Sequence, residues 1–193
     1  MQDSSLVKHL HTEGINFPQL STTLAGLPAK EFDIAVRPLR KYLEQFDEDG
    51  ELSQIMLVDN VTNHLVNGLY VRELLIPKGS LILSRVHKRP LVNIISKGHV
   101  IVIDTNGRNE YTAPCTFISP AGTQRVVFAP EETVWNTAHL TDVTDEDELV
   151  DDLTHDNYEE YTHELLCSRG SSSLNAYSIT TAEESSEEGK EGR

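Results

Sequence analysis

This 193-residue chain has two cysteines, Cys115 and Cys167, and one tryptophan, and aromatic residues make up only 6% of it. The cysteines stand far apart and outside any metal-ligand spacing, which excludes a zinc ribbon and a disulfide-built scaffold. Two free thiols in a reducing compartment are expected, with a single disulfide as the alternative. No apolar run approaches the roughly 18 residues of a membrane span, and no N-terminal stretch resembles a signal peptide, so a cytoplasmic protein is expected. Glycine-rich phosphate loops are lacking. Ser84 and Ser119 lie near histidines, yet neither stands in a nucleophile elbow.

Positive charge is scarce at one end. Residues 142–193 carry 3 basic and 16 acidic side chains, against 13 and 15 in residues 1–141, so the C-terminal quarter holds nearly all of the net −15. A segment of that sign repels nucleic acid and anionic membrane, and neither is expected as a partner. The one compact basic run, His87-Lys88-Arg89, is too short for a nucleic-acid footprint. Apolar residues reach only 38%, so part of the chain is expected to stay outside the core.

Residues 1–30 show no sustained period and read as an arm or a loose cap that becomes ordered only by lying on a neighbour. Apolar residues at 36, 39, 43 and 46 predict a helix over 33–46 with Pro38 in its first turn, where a missing N–H costs nothing. Residues 53–68 predict one or two strands ending at Asn67-Gly68. In the next run Tyr70, Arg72, Leu74 and Ile76 alternate with Val71, Glu73 and Leu75, the period of a strand. Beyond His139, Thr144 and Asp147 form a capping box. It opens an acidic helical segment with apolar stripes at Leu149, Val150 and Leu153 and at Tyr158, Tyr161, Leu165 and Leu166.

Between Gly79 and His139 short Val/Ile-rich runs alternate with Gly-containing turns, the pattern of a small sandwich or barrel. The spacing Gly79, five residues, Arg85-x-His87, three residues, Leu91, six residues, Gly98 resembles the first motif of the cupin family. Pro114, five residues, Pro120-x-Gly122, two residues, Arg125, three residues, Ala129 resembles the second. The run "NGLYVRELLIPKGS" is similar to the approach strand of cupin-like proteins often encoded by tailed bacteriophages. The resemblance implies an antiparallel jelly-roll barrel over 53–141. The N-terminal arm and helix occupy 1–52, the acidic helical segment 142–167 and a disordered acidic tail 168–193.

Catalytic members of that family hold a divalent metal with three histidines and a glutamate. The matching positions here are Arg85, His87, Leu91 and Arg125, of which one can ligate a metal; arginine and leucine offer no lone pair. No cofactor is therefore expected. His87 and His139 remain as weak metal candidates, with His64 and His99 unplaced. Arg85, His87, Arg125 and His139 form a candidate anion pocket. The competing reading neutralises each arginine internally, for instance through Glu73, Glu131 or Glu132, so that it only fills the barrel. Cys115 reads as a buried thiol and Trp135 as core. The favoured function is a non-enzymatic binding or structural module, homo-oligomeric and of phage origin, with a protein partner at the N-terminal arm or acidic helix. Two alternatives stand: a metal-poor cupin that binds or transforms a small anionic metabolite, and an acidic inhibitor or mimic acting through 142–166.

Overall fold

A computed structural model describes residues 17–45 and 60–171. Helices α1 (Phe17–Leu24) and α2 (Ala29–Gln45) precede ten strands: β1 (Val61–Val66), β2 (Leu69–Ile76), β3 (Leu81–Leu83), β4 (Val86–His87), β5 (Leu91–Lys97), β6 (His99–Asp104), β7 (Gly107–Thr112), β8 (Cys115–Ser119), β9 (Val126–Phe128) and β10 (Thr133–Leu140). Helix α3 (Glu146–Leu153), strand β11 (Thr154–His155) and helix α4 (Tyr158–Ser171) follow.

One sheet runs β1-β2-β10-β5-β8 and the other β3-β9-β6-β7, with β11 paired to β4. If the eight core strands from β2 to β10, leaving out β4, are lettered B to I, the sheets read BIDG and CHEF. That is the strand order of a jelly roll, with every pairing antiparallel. The expected mainly β fold with flanking helices is present. Strand parity then sorts the side chains. Ile76, Ile95, Val100, Val102, Val127 and Trp135 point inward and form the barrel core. Gly98 turns between β5 and β6 at φ +84°, and a Cβ there would collide with the Glu132 carbonyl and with Thr133, so only glycine fits the turn.

The outward face of the second sheet is covered by the chain's own N-terminal helices. Leu24 of α1 and Phe32, Val36 and Leu39 of α2 pack on Leu81, Ile103 and Val126. Phe17 packs against Phe128 with the rings tilted and their centroids 4.6 Å apart. Residues 17–30 are therefore a cap and not an arm laid on a neighbour: they form α1 and the start of α2 and dock on their own barrel. Residues 1–16 lie outside the described residues. Helix α2 begins earlier than expected, at Ala29, which places Pro38 in its interior. Pro38 is exposed, so water can serve the Ile34 carbonyl that has lost its donor. The "DEDG" turn at 47–50 lies outside the described residues. Helix α4 runs to Ser171, past the expected boundary at 167, and the rest of the tail is likewise outside them. No helix among the described residues is long and apolar enough to cross a membrane.

Phe32 is fully enclosed at the helix–sheet interface. Phe32→Ala is expected to cost about 3 kcal/mol of unfolding free energy by urea denaturation. A loss below about 1 kcal/mol would mean the helices are not part of the cooperative unit.

Candidate functional site

The inward rows of the first sheet change character along the barrel. Leu74, Trp135 and Ile95 lie side by side in an apolar row. The next row is Arg72, Thr137 and Asn93, and beyond it Tyr70 faces His139. These polar rows open on a cavity of about 370 Å³ that also takes in Arg85, His87, Arg125 and Leu149, Val150 and Leu153 of α3.

Arg125 is 3% exposed. Its Nη1 donates to Asn93 Oδ1 at 3.3 Å and its Nη2 to Ser119 Oγ at 2.7 Å. The guanidinium lies 5.5 Å from the centroid of the Trp135 ring, whose Nε1 donates to the same Asn93 oxygen at 3.2 Å. All of these partners are neutral, and Nε has no partner. Burial lowers the Arg125 pKa to about 10, partly opposed by Asp104 and Tyr111, so the group is charged at neutral pH. Among the described residues neither Arg125 nor Arg72 has a carboxylate within ion-pair distance.

His87 and His139 face each other with ring centroids 5.7 Å apart, and His139 stacks on Tyr70 at 5.8 Å. Burial, followed by the charges of Arg125, His139 and Arg72, lowers the His87 pKa to about 3. Burial, followed by Arg72, Arg125 and Arg89, lowers that of His139 to about 4. Both rings are therefore neutral at pH 7, each with one N–H to donate and one lone pair. His87 Nδ1 is buried without a partner.

Arg85 lies at the mouth. Its Nη2 is 2.7 Å from Asp156 and 3.8 Å from Asp151, and the side chain is partly exposed. The counter-charges expected from sequence are not used: Glu132 pairs with Lys97 at 2.6 Å, and none of Glu73, Glu131 and Glu132 pairs with a cavity arginine. The acids that meet the rim come from the C-terminal segment. Arg89 makes a two-pronged bond to Asp152 at 2.8 and 2.9 Å, and Thr141 donates to the same carboxylate at 2.7 Å. Lys88 Nζ donates to the Asp151 carbonyl at 2.7 Å and lies 3.4 Å from Glu164. Burial pushes the Asp152 carboxyl up, but hydrogen bonds from Arg89 and Thr141 and the nearby cations outweigh it and hold the pKa below its ordinary value. Lys88 and Arg89 thus fasten an acidic strap across the barrel mouth, and β11 adds a strand to β4 in the same place.

The positions that match the cupin ligand set, Arg85, His87, Leu91 and Arg125, do not fit a divalent metal. Leu91 is a buried apolar residue of β5, and Arg125 fills another ligand position. His64 is exposed on β1, and His99 lies 3.3 Å from Glu110 in the other sheet. Among the described residues no group of three or more His, Cys, Asp and Glu could hold a metal. Ser119 accepts from Arg125 and Asn93, and Ser84 Oγ accepts the Arg125 backbone N–H at 3.0 Å, so both hydroxyls serve the arginine. Cys115 is only partly buried, Cys167 is exposed, and both are free thiols. Sequence reasoning brought out Arg85, His87, Arg125 and His139, all of which line the cavity. It missed Arg72, whose signal was its parity with Tyr70 and Leu74, and Asn93, which had none.

No family model matches the chain, and no curated protein matches it. Among solved structures, a cupin-superfamily protein from Desulfitobacterium hafniense is 9% identical over 42% of this chain and 78% of its own, with a TM-score of 0.38. A cupin-2 domain protein from Shewanella frigidimarina is 12% identical over 50% and 92%, with a TM-score of 0.38. A cupin domain from Bordetella pertussis is 20% identical over 42% and 91%, with a TM-score of 0.36. The fold assignment rests on the strand order.

The two imidazoles make stability depend on pH. Their folded-state values lie below the unfolded value of 6.5, so between the two the unfolded chain binds more protons and stability rises with pH. Stability is expected to fall as pH drops from 6.5 toward 4, by on the order of 2 kcal/mol per histidine at pH 5. Urea unfolding at pH 7 and pH 5 measures this loss, and His139→Gln should remove about half of it.

Proposed function

We propose that the chain is a non-enzymatic cupin-type binding module, working in the cytoplasm, that encloses a small anion beneath its acidic strap. The observation that carries this reading is Arg125: a permanent charge inside the barrel with only neutral partners, beside a second guanidinium, Arg72, that also has no ion pair among the described residues. A buried cation without a counter-charge costs several kcal/mol, and an anion in the cavity would relieve that cost. Binding is favoured over catalysis because both imidazoles are held neutral and far below pH 7, which makes them weak proton acceptors. The inhibitor or mimic reading loses ground, since Asp151, Asp152, Asp156 and Glu164 are engaged with the chain's own rim bases. A phage source is part of the proposal. It is supported by the resemblance of β2, the strand that carries Arg72.

A thermal-shift screen of phosphate, sugar phosphates, di- and tricarboxylates and monocarboxylates tests the pocket. At least one anion is expected to stabilise the wild type. In Arg125→Met that response should vanish while unfolding free energy moves by no more than about 2 kcal/mol, because lost hydrogen bonds offset relief of the uncompensated charge. If no anion of any class stabilises the wild type, the proposal is wrong.

Self-association belongs to the same proposal and is supported by the outward face of the first sheet, which no described element covers. Ile118, 73% exposed on edge strand β8, lies beside Val92 of β5, then Ala138 of β10 and Val71 of β2. A second row joins Val66, Leu69 and Leu140. A continuous apolar face bordering an open edge suits a second copy. Sedimentation equilibrium is expected to give a dimer at tens of micromolar, and Ile118→Asp a monomer with unchanged circular dichroism. A monomeric wild type removes this part of the proposal.

A further inference from the structure

The chemistry of the cavity wall narrows the ligand further than its charge does. Resting on the reading that the cavity binds an anion, we infer that the anion is a monocarboxylate with an apolar body, either a medium-chain fatty acid or an arylalkanoic acid. The shared chemistry is one planar, singly charged head on a hydrocarbon.

The inner donors share one belt, while at the mouth Arg85 is paired with Asp156, Ser84 accepts the Arg125 backbone N–H and Thr154 donates to the Val150 carbonyl. Arg72, Thr137 and Asn93 share a row, with Arg125 bonded to Asn93 and with His87 and His139 next along the barrel. A carboxylate is flat and accepts paired bonds from a guanidinium fork, which suits this arrangement. Away from the belt and the paired groups at the mouth the wall is mostly hydrocarbon: Leu74, Ile76, Ile82 and Val127 on the barrel side, Leu149 and Leu153 on the strap. Hydroxyls of a sugar, or the second and third carboxylates of citrate, would meet these side chains and lose their hydrogen bonds, at a cost of a few kcal/mol for each neutral group and more for each charge. An acyl or aryl body gains burial there instead. The cavity, about 370 Å³, is at the small end of the roughly 300–1,000 Å³ typical of ligand sites, which points to a body on the order of eight carbons. The strap matters here because two of its leucines belong to the wall: a body long enough to reach them is held by the lid as well as the barrel.

Isothermal titration of the full chain decides the matter, using acetate, butyrate, hexanoate, octanoate, decanoate, 3-phenylpropanoate, 1-octanol, phosphate and citrate. From butyrate to octanoate the dissociation constant is expected to fall about fourfold per added methylene. Octanol should bind at least about 100-fold more weakly than octanoate, since it leaves the guanidiniums unpaired. The 3-phenylpropanoate arm shows which of the two bodies fits better, and either result supports the inference. Leu74→Phe fills the apolar part of the cavity and should shift the optimum toward shorter chains. Adsorption to the outer sheet face would leave the optimum unmoved and would overturn the assignment. Arg125→Met should abolish octanoate binding, and Arg72→Met serves as the second variant if the first does not fold. Tighter binding of phosphate or citrate than of octanoate, or affinity independent of chain length, overturns this inference while leaving the anion-binding reading intact. Failure of every anion overturns both.

Discussion

The guanidinium of Arg125 sits inside the barrel with an asparagine, a serine and an indole for partners, and the surrounding structure is arranged around that charge. Asn93 turns its oxygen toward Arg125 and Trp135 and its amide toward Ser119, so one side chain fixes three others. The nearby imidazoles, themselves buried, are held neutral partly by the same charge. A metal cation placed among these groups would meet like charge at close range, whereas an anion would meet opposite charge already oriented. The belt that could serve an anion is thus the belt that makes the site unsuitable for a metal.

The strap depends on the same sign of charge in a wetter setting. Lys88 and Arg89 stand on the rim, and their partners Asp152 and Glu164 lie in a segment that is otherwise crowded with acids. Exposed ion pairs contribute little each, typically under about 1 kcal/mol. The strap is therefore held mainly by Leu149 and Leu153 against Tyr70, with β11 on β4 and the rim pairs fixing its position. Gly122 adds a packing constraint. It turns at φ +79°, its N–H donates to the His87 carbonyl at 2.7 Å, and a Cβ there would stand 2.9 Å from the Tyr161 ring. The turn that braces His87 is also the surface on which α4 rests.

Much of the barrel was legible because its signals are local. Turn glycines mark where strands end, and the two-residue period along residues 70–76 and 133–139 sorts which side chains face inward. Parity put His139 beside His87, and the same rule applied to residues 70–76 would have turned Arg72 inward with Tyr70 and Leu74. The N-terminal helices were less legible: the eight-residue α1 is too short to display a period, and its stability comes from docking on the second sheet. Pro38 argued for a helix start, but an exposed position in an amphipathic helix tolerates it once packing on the opposite face is strong. The partners of Arg85 were not legible either. Glu73 is near in sequence, but Asp151 and Asp156 are brought to the rim only by the return of the chain after β10.

The cavity and the strap form one thermodynamic unit. Leu149 and Leu153 are wall residues of the cavity and also the apolar anchor of the lid. A ligand that fills the cavity therefore adds contacts to the lid, and a closed lid removes water from around the guanidiniums, which strengthens their attraction to an anionic head. By linkage, whatever favours closure must raise affinity by the same factor that occupancy raises closure. The acidity of the strap then has a local consequence. Because Arg85 is paired with Asp151 and Asp156 at the mouth, Arg72 and Arg125 are the cavity guanidiniums that have no ion pair among the described residues.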